Sequence, residues 1–378
     1  MNIAANNRLV FSEEQGMILD SAREFCRDKS AISAVRALLE SENGFDEAVW
    51  QQMVELGWLG LAIPEEFGGS GLGIGATVPL AESMGRYLLA TPFFSTTLAA
   101  QLFARAGTSA QKNRWLPLLA NGTRASLALL DGEDWGAKAF TATAEASAGK
   151  LTLSGEKWYV QDAAVADLFL VGVRLDGESR LVLLEKDQLT ADALQAHTLI
   201  DETKRASRLR LDGITVPATA LLVPEATAAA LRDVALIGAL LVAAESTGAT
   251  AACLDTVVDY LKTRKQFGKL IGSYQALKHP TVDVLCAMDD ARSFIYHAAC
   301  LVGDAALDAD AEIACRMAKA QATDALEYAA DRAVQFHGGM GFTYECDAQL
   351  YIRRAQWARP QFGDAYHHRK RLAGLLLD

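Results

Sequence analysis

The sequence predicts an α+β protein in three blocks: an N-terminal all-α domain (residues 1–120), a middle antiparallel β domain (121–225) and a C-terminal four-helix bundle (226–378). Three observations carry that prediction. Apolar helical stretches fill the first third and return in the last. Between them the chain breaks into short alternating or β-branched runs, separated by Gly, Asp and Lys clusters. A chain of 378 residues with 51% hydrophobic content also buries a large core, and by length divides into two or three domains.

In the N-terminal block, Ser12-Glu13-Glu14-Gln15 reads as a capping box opening an amphipathic helix through Phe25. Trp50 to Leu59 gives another helix. Gly60 to Gly71 holds a proline and four glycines, which marks an irregular loop. As a phosphate cradle it is a weak signal, because Glu65 and Glu66 sit inside it. Helices resume over Thr77 to Tyr87 and Ser95 to Ala106, and Trp115 to Leu119 adds a short element.

The strand runs of the middle block are Ser126–Leu130, Phe140–Glu145, Lys150–Ser154, Leu168–Val173, Arg180–Leu184 and Ser207–Leu211. Their length and spacing suit a small barrel or sandwich. The third block reads as long helices joined by short loops: Ala228–Thr263, Pro280–Leu307, Ala311–Gln335, Cys346–Ala358 and a last one from about Ala365. Pro280 suits a first-turn position. Val234 to Leu254 is almost wholly apolar, but Glu245, Ser246 and Thr247 near its centre make a lipid span costly. The expectation is a helix buried inside a bundle.

Composition removes several function classes. Net charge is −11 and no basic stripe is present, so nucleic acid and anionic membrane are poor partners. A polyanionic ligand must be met by local, well-placed cations. Cys26, Cys253, Cys286, Cys300, Cys315 and Cys346 are scattered without metal-ligand spacing, which favours reduced thiols over disulfides or zinc and a cytoplasmic setting. The N-terminal residues show no signal-peptide pattern.

Two stretches of the third block stand out. Arg264-Lys265-Gln266-Phe267-Gly268-Lys269-Leu270-Ile271-Gly272 runs on through Ser273-Tyr274-Gln275-Ala276 between two helices. Taken alone it is a helix–helix hairpin with a glycine stop and a solvated basic face. Gln335-Phe336-His337-Gly338-Gly339-Met340-Gly341-Phe342-Thr343 places three glycines just past a helix. Taken alone it is a glycine-rich helix end; it also lets backbone come close to a ligand and exposes amides. Trp158 and Tyr159 sit in a third stretch, Leu153-Ser154-Gly155-Glu156-Lys157-Trp158-Tyr159-Val160, where aromatics on a strand ordinarily pack a core.

Together these stretches, with Gly60 to Gly71 and the order α, β, α, resemble the acyl-CoA dehydrogenase flavoproteins across essentially the whole chain. The resemblance implies FAD. Arg264 and Gln266 would reach its pyrophosphate, with Phe267 beside them; an arginine fork suits two phosphate oxygens at once. Gln275, Gln335, Gly338 and Gly339 would add contacts, donated across a subunit boundary, which implies a homotetramer or heterotetramer. Trp158 or Tyr159 would cover the flavin ring, with backbone amides and Leu130 nearby. The implied reaction removes an α-proton from an acyl-CoA thioester while a β-hydride goes to flavin N5, with an electron-transfer flavoprotein as acceptor.

The sequence departs from that family at two places. Most members carry the proton-abstracting Glu in a Y-E-G-T segment; the matching residues here are Gln361-Phe362-Gly363-Asp364, which puts Phe362 at the Glu position. The alternative position, on the first bundle helix, falls near Gly238. Two candidate bases remain. Glu245 lies about two helical turns beyond Gly238 and reads equally as a buried ion-paired carboxylate. Asp364 reads equally as an N-cap or as a contact to FAD ribose. His367 and His368 read as surface residues. The second departure is Leu130-Asp131-Gly132-Glu133-Asp134-Trp135-Gly136-Ala137, where the family's polar flavin and phosphate contacts are mostly missing. Both departures resemble the base-lacking subunits of heterotetrameric acyl-CoA dehydrogenases, whose partner supplies the carboxylate. A non-catalytic subunit that supports a neighbour's FAD, and oxidase or monooxygenase chemistry on the same fold, are the competing expectations. Gly238 and Ala239 leave room for a bulky or branched acyl group.

Overall fold

The structure is a computed structural model that describes residues 13–136 and 139–377. Ser12, and with it the capping box at Ser12 to Gln15, lies outside the described residues, as does Ala137. Among the described residues, six helices form the first block: α1 (Glu13–Lys29), α2 (Ile32–Leu39), α3 (Glu47–Glu55), α4 (Val78–Tyr87), α5 (Phe93–Ala106) and α6 (Ser109–Ala120). α3 starts where the Asp46 side chain accepts the Ala48 N–H at 2.7 Å, and it ends before Trp58–Gly60, a separate 3₁₀ turn. The helix expected over Trp50 to Leu59 is therefore two elements. α6 is longer than expected because Thr108 and Gln111 cap it reciprocally. The glycine loop after Trp58 folds onto itself: Ser70, Gly71 and Leu72 donate their N–H groups to Gly60, Ile63 and Leu61. Those amides are spent within the loop, so none of the three faces a phosphate.

Among its described residues the middle block has nine strands, β1 (Ala125–Ala128), β2 (Thr143–Ser147), β3 (Lys150–Ser154), β4 (Glu156–Gln161), β5 (Leu168–Leu175), β6 (Glu178–Glu185), β7 (Leu194–Ala196), β8 (Ala206–Arg210) and β9 (Thr215–Pro217). One sheet runs β1-β5-β2-β3-β9 with β6 on the other side of β5; the second runs β4-β8-β7. The hairpins β2–β3 and β5–β6 are antiparallel, as adjacent strands joined by tight turns must be. The block is not wholly antiparallel, however: β1 and β2 both pair with β5 in parallel. β5 returns to β1 after the β2–β4 excursion, and such a crossover sets no antiparallel constraint. β5 is buried at every position but Arg174, as its unbroken apolar run requires.

The third block comprises α7 (Thr227–Thr263), α8 (Gln275–Leu301), α9 (Ala309–Phe336), α10 (Ala348–Ala358) and α11 (Ala365–Leu377). α7 is its axis, packed against α8, α9 and α10 within the block and against α4 and α5 outside it. It is long and apolar enough to cross a bilayer, yet here protein surrounds it. Ser246, Thr247 and Thr250 return their hydroxyls to carbonyls four residues back, so they enter the apolar core already satisfied. α4 and α7 cross at glycines: a Cβ on Gly85 would stand 1.9 Å from the Glu245 carbonyl oxygen, and one on Gly248 1.8 Å from that of Glu82. α8 begins at Gln275 rather than Pro280, so Pro280 lies inside the helix and not in its first turn. A two-residue ribbon, β10 (Lys265–Gln266) with β11 (Lys269–Leu270), joins α7 to α8. Its turn, Phe267 and Gly268, has φ of 53° and 76°, the left-handed pair that tight hairpins use.

Candidate functional site

The two glycine-punctuated stretches meet at one end of the bundle. Tyr260 in the last turn of α7 stacks on His337 at the end of α9, with ring centroids 4.3 Å apart and planes 26° from parallel. The His337 ring is fixed in turn by its Nδ1, 2.6 Å from the Ala333 carbonyl oxygen. Arg264 follows α7 directly, and its backbone N–H closes onto Tyr260. Its guanidinium is exposed and makes no ion pair among the described residues. Gln266, Gln275, Gln335, Gly338 and Gly339 are exposed as well. Phe267 is 90% exposed, and Met340 and Phe342 are exposed beside the second turn. Cations, amides and bare apolar rings thus share one surface. That mixture suits a surface completed by another chain and an anionic group.

A cleft lies between the sheets and the helices. Leu130, Trp135, Trp158, Tyr159, Gln161 and Phe362 line it. Trp158 and Tyr159 sit at a β-bulge between Lys157 and Val160, where β4 slips against β8, and Tyr159 takes φ 49°. The bulge turns both rings toward the cleft. The Trp158 N–H donates to the Leu130 carbonyl at 2.8 Å, so that amide is not free to bond a ligand edge. Its indole N–H goes to Glu156, and the Arg208 guanidinium lies over its ring. His197 stacks on both rings, at 4.7 Å from Tyr159 and 5.5 Å from Trp158. Burial, with Arg208 nearby, pushes its imidazole below the ordinary value.

At the centre of the cleft, Phe362 stands on Gly238. A Cβ at Gly238 would meet the Phe362 ring at 2.5 Å, and Trp135 leans on the same ring at 4.6 Å. The two positions that lack a carboxylate are therefore in contact, and an aromatic ring fills the space between them. Phe362 adopts φ 56° and Gly363 φ 98°, so the turn is sharply bent. Lys319 secures it from below: its buried ammonium donates to the carbonyls of Ala358, Arg359 and Gly363 at 2.9 to 3.2 Å. Burial pushes that ammonium down to about 7.

The two candidate bases sit elsewhere. Asp364 caps α11, accepting the His367 N–H at 2.8 Å. Glu245 is buried and does not line the cleft; its Oε1 accepts from Lys204 and Arg354, each at 2.7 Å. Arg354 also holds Asp201 and Thr203. Burial raises the Asp201 carboxyl, but Arg354 and Thr203 outweigh it and hold the group below the ordinary range. Glu245 is thus the counter-ion of a buried network rather than a bare carboxylate facing the cleft. His368 corrects another expectation: it is buried, and burial with Lys319 and Arg316 beside it pushes its imidazole down to about 3.

Sequence reading missed Lys204, Asp201, Arg354 and Asp162. The half-buried Asp162 accepts the Ser95 hydroxyl at 2.7 Å, and desolvation pushes its carboxyl up to about 6. The local signal at Asp201 to Arg205 was only a charged loop; partners about 40 to 150 residues away make it a network.

Comparison with known proteins agrees over the whole chain. Residues 12–123 match a family model described as acyl-CoA dehydrogenase, N-terminal domain, and residues 231–376 one described as acyl-CoA dehydrogenase, C-terminal domain. The acyl-CoA dehydrogenase IpdE2 of Mycolicibacterium smegmatis is 30% identical over 364 residues, 96% of this chain and 98% of that one. Among solved structures, a variant of the Tcur3481–Tcur3483 steroid ACAD superposes with a TM-score of 0.84 at 28% identity, covering 97% and 98% of the two chains. An acyl-CoA dehydrogenase of Bacillus anthracis complexed with FAD gives 0.85 at 25% identity, covering 97% of this chain and 68% of that one.

Proposed function

The chain belongs to the acyl-CoA dehydrogenase family of oxidoreductases, and from that premise we propose that it is an FAD-binding subunit whose proton acceptor comes from a related partner chain. The residues present suit FAD at both ends. Arg264 offers an unpaired guanidinium for the pyrophosphate, beside Gln266 and the open backbone at Gly338 and Gly339. Phe267, Gln275 and Gln335 surround them. Tyr159 and Trp158 offer flat faces for the ring, and the side chains of Leu130 and Gln161 close its edge. When bound, FAD supplies the acceptor for the hydride that leaves the β-carbon of the acyl thioester.

What this chain contributes is binding, orientation and exclusion of water. The α-proton must leave to a base within hydrogen-bond reach as the double bond forms. The Phe362–Gly238 contact, which carries the proposal, puts carbon where a carboxylate would stand. Asp364 is committed to a helix cap and Glu245 to Lys204 and Arg354. The substrate is an acyl-CoA with a bulky acyl group, in keeping with the Tcur3481–Tcur3483 steroid ACAD; the electron acceptor is an electron-transfer flavoprotein.

The test is anaerobic. FAD-loaded protein is mixed with acyl-CoA and the flavin absorbance is followed. The proposal expects no bleaching by the isolated chain and rapid bleaching once a related partner chain is added. Bleaching by the chain alone overturns the missing base. A second reading, a subunit that only lends Arg264 and the Gly338–Gly339 turn to a neighbour's FAD, draws on the same Phe362–Gly238 contact. It requires that the isolated chain bind no acyl-CoA.

A further inference from the structure

Beside the cleft lies a narrower cavity whose walls include Thr91, Phe94, Gln161, Asp162 and Lys204. The two share Gln161, and Ser95 of the cleft donates to Asp162 of the cavity at 2.7 Å. The cavity is polar where an alkyl pocket would be greasy, and the buried Oγ1 of Thr91 in its wall has no hydrogen-bond partner among the described residues. Lys204 has three N–H donors and gives one hydrogen bond, to Glu245, among the described residues. Its ammonium otherwise faces the rings of Phe94 and Trp357, at 5.1 and 4.7 Å.

Resting on the acyl-CoA reading above, we infer that this cavity is a subsite for a neutral hydroxyl carried at the far end of the acyl group. Charge excludes the obvious alternative. Lys204 and Arg354 are already matched by Glu245 and Asp201. Arg205, the remaining cation, donates to the backbone carbonyls of Leu38, Leu39, Ser41, Glu202 and Lys204, and its charge is balanced by the nearby Asp162. No positive charge is left over for a carboxylate, and Asp162 and Glu245 would oppose one. A plain alkyl end would leave the Thr91 oxygen desolvated and unanswered, which costs stability in the complex. A hydroxyl donates and accepts, so it can donate to the Thr91 oxygen while accepting from Lys204. Neither Phe362 nor Gly238 lines the cavity, which places recognition of the acyl end apart from the reacting carbons.

The experiment uses three probes on the full-length, FAD-loaded protein in its purified oligomer: cyclohexylpropanoyl-CoA, its ring-hydroxylated counterpart and its ring-carboxylated counterpart. Isothermal titration reads dissociation constants, so turnover is not needed. The expected result is that the hydroxylated probe binds about tenfold or more tightly than the parent, as one satisfied buried hydrogen bond implies. The carboxylated probe should bind no better than the parent. T91V should bring the hydroxyl-to-parent ratio close to one, and T91S should restore it. Equal binding of parent and hydroxylated probes, tightest binding of the carboxylate, or a preference that T91V leaves intact would each overturn the subsite. Binding of none of the three would overturn the acyl-CoA reading itself and the subsite with it.

Discussion

The bundle end and the cleft centre both border α7 and have opposite characters. At the bundle end, Arg264, Gln266, Gly338 and Gly339 face outward with unused bonding capacity. At the centre, Phe362, Trp135 and Gly238 fill the space with rings and bare backbone, and the nearby carboxylates are spent on caps and ion pairs. On the reading proposed above, the first region would hold the dinucleotide and the second would leave the proton to a partner chain. On that reading, coenzyme binding and turnover are separable properties of this chain.

The strongest way to break the contrast is to put a carboxylate back. F362E should let the isolated, FAD-loaded chain bleach with acyl-CoA at least about 100-fold faster than the parent, since a positioned general base contributes roughly 10²–10⁴. An unchanged absorbance trace would mean that position 362 does not face the α-carbon. The next largest effect concerns Glu245. Removing one partner of a buried ion pair costs about 3–5 kcal/mol, so E245Q should lower the urea midpoint accordingly while FAD remains bound. If stability barely moves and partner-assisted bleaching vanishes, Glu245 is the base after all.

The bundle end is sharpened by R264A. Loss of a charged hydrogen-bond donor is worth about 1.5–3 kcal/mol, so FAD affinity should fall about 10- to 100-fold by fluorescence titration. The oligomer should survive by size-exclusion chromatography; unchanged affinity would place the pyrophosphate elsewhere.

The smallest expected effect is a pH slope. Asp162 is raised from 3.8 to about 6, so between those values the folded protein binds more protons than the unfolded one. Stability must then fall as pH rises through that window and stay low above it. At ~1.4 kcal/mol per pH unit, the effect is capped at about 3 kcal/mol. D162N should remove that part of the slope and raise stability at pH 7; a slope unaltered by D162N would assign it to other groups.

The two regions were also unequally legible in the sequence. The bundle end is local: nine consecutive residues from Arg264 and nine from Gln335 carry its turn chemistry, so glycine spacing and helix ends revealed it. The apolar run of α7 announced a buried helix for the same reason. The cleft centre depends on Gly238 meeting Phe362 and on Glu245 meeting Arg354, pairs more than 100 residues apart that no periodicity connects. Glycine 238 read as room for ligand, whereas the ring of Phe362 already occupies it. The parallel pairing of β1 with β5 escaped for a related reason, because alternation identifies a strand but not its neighbour.

The crossing of α4 and α7 has a mechanical consequence. At Gly85 and Gly248 main chain lies on main chain, with no side chain between to act as a bearing. Those two rods cannot slide or rock without steric collision, so the helical wall is a fixed anvil.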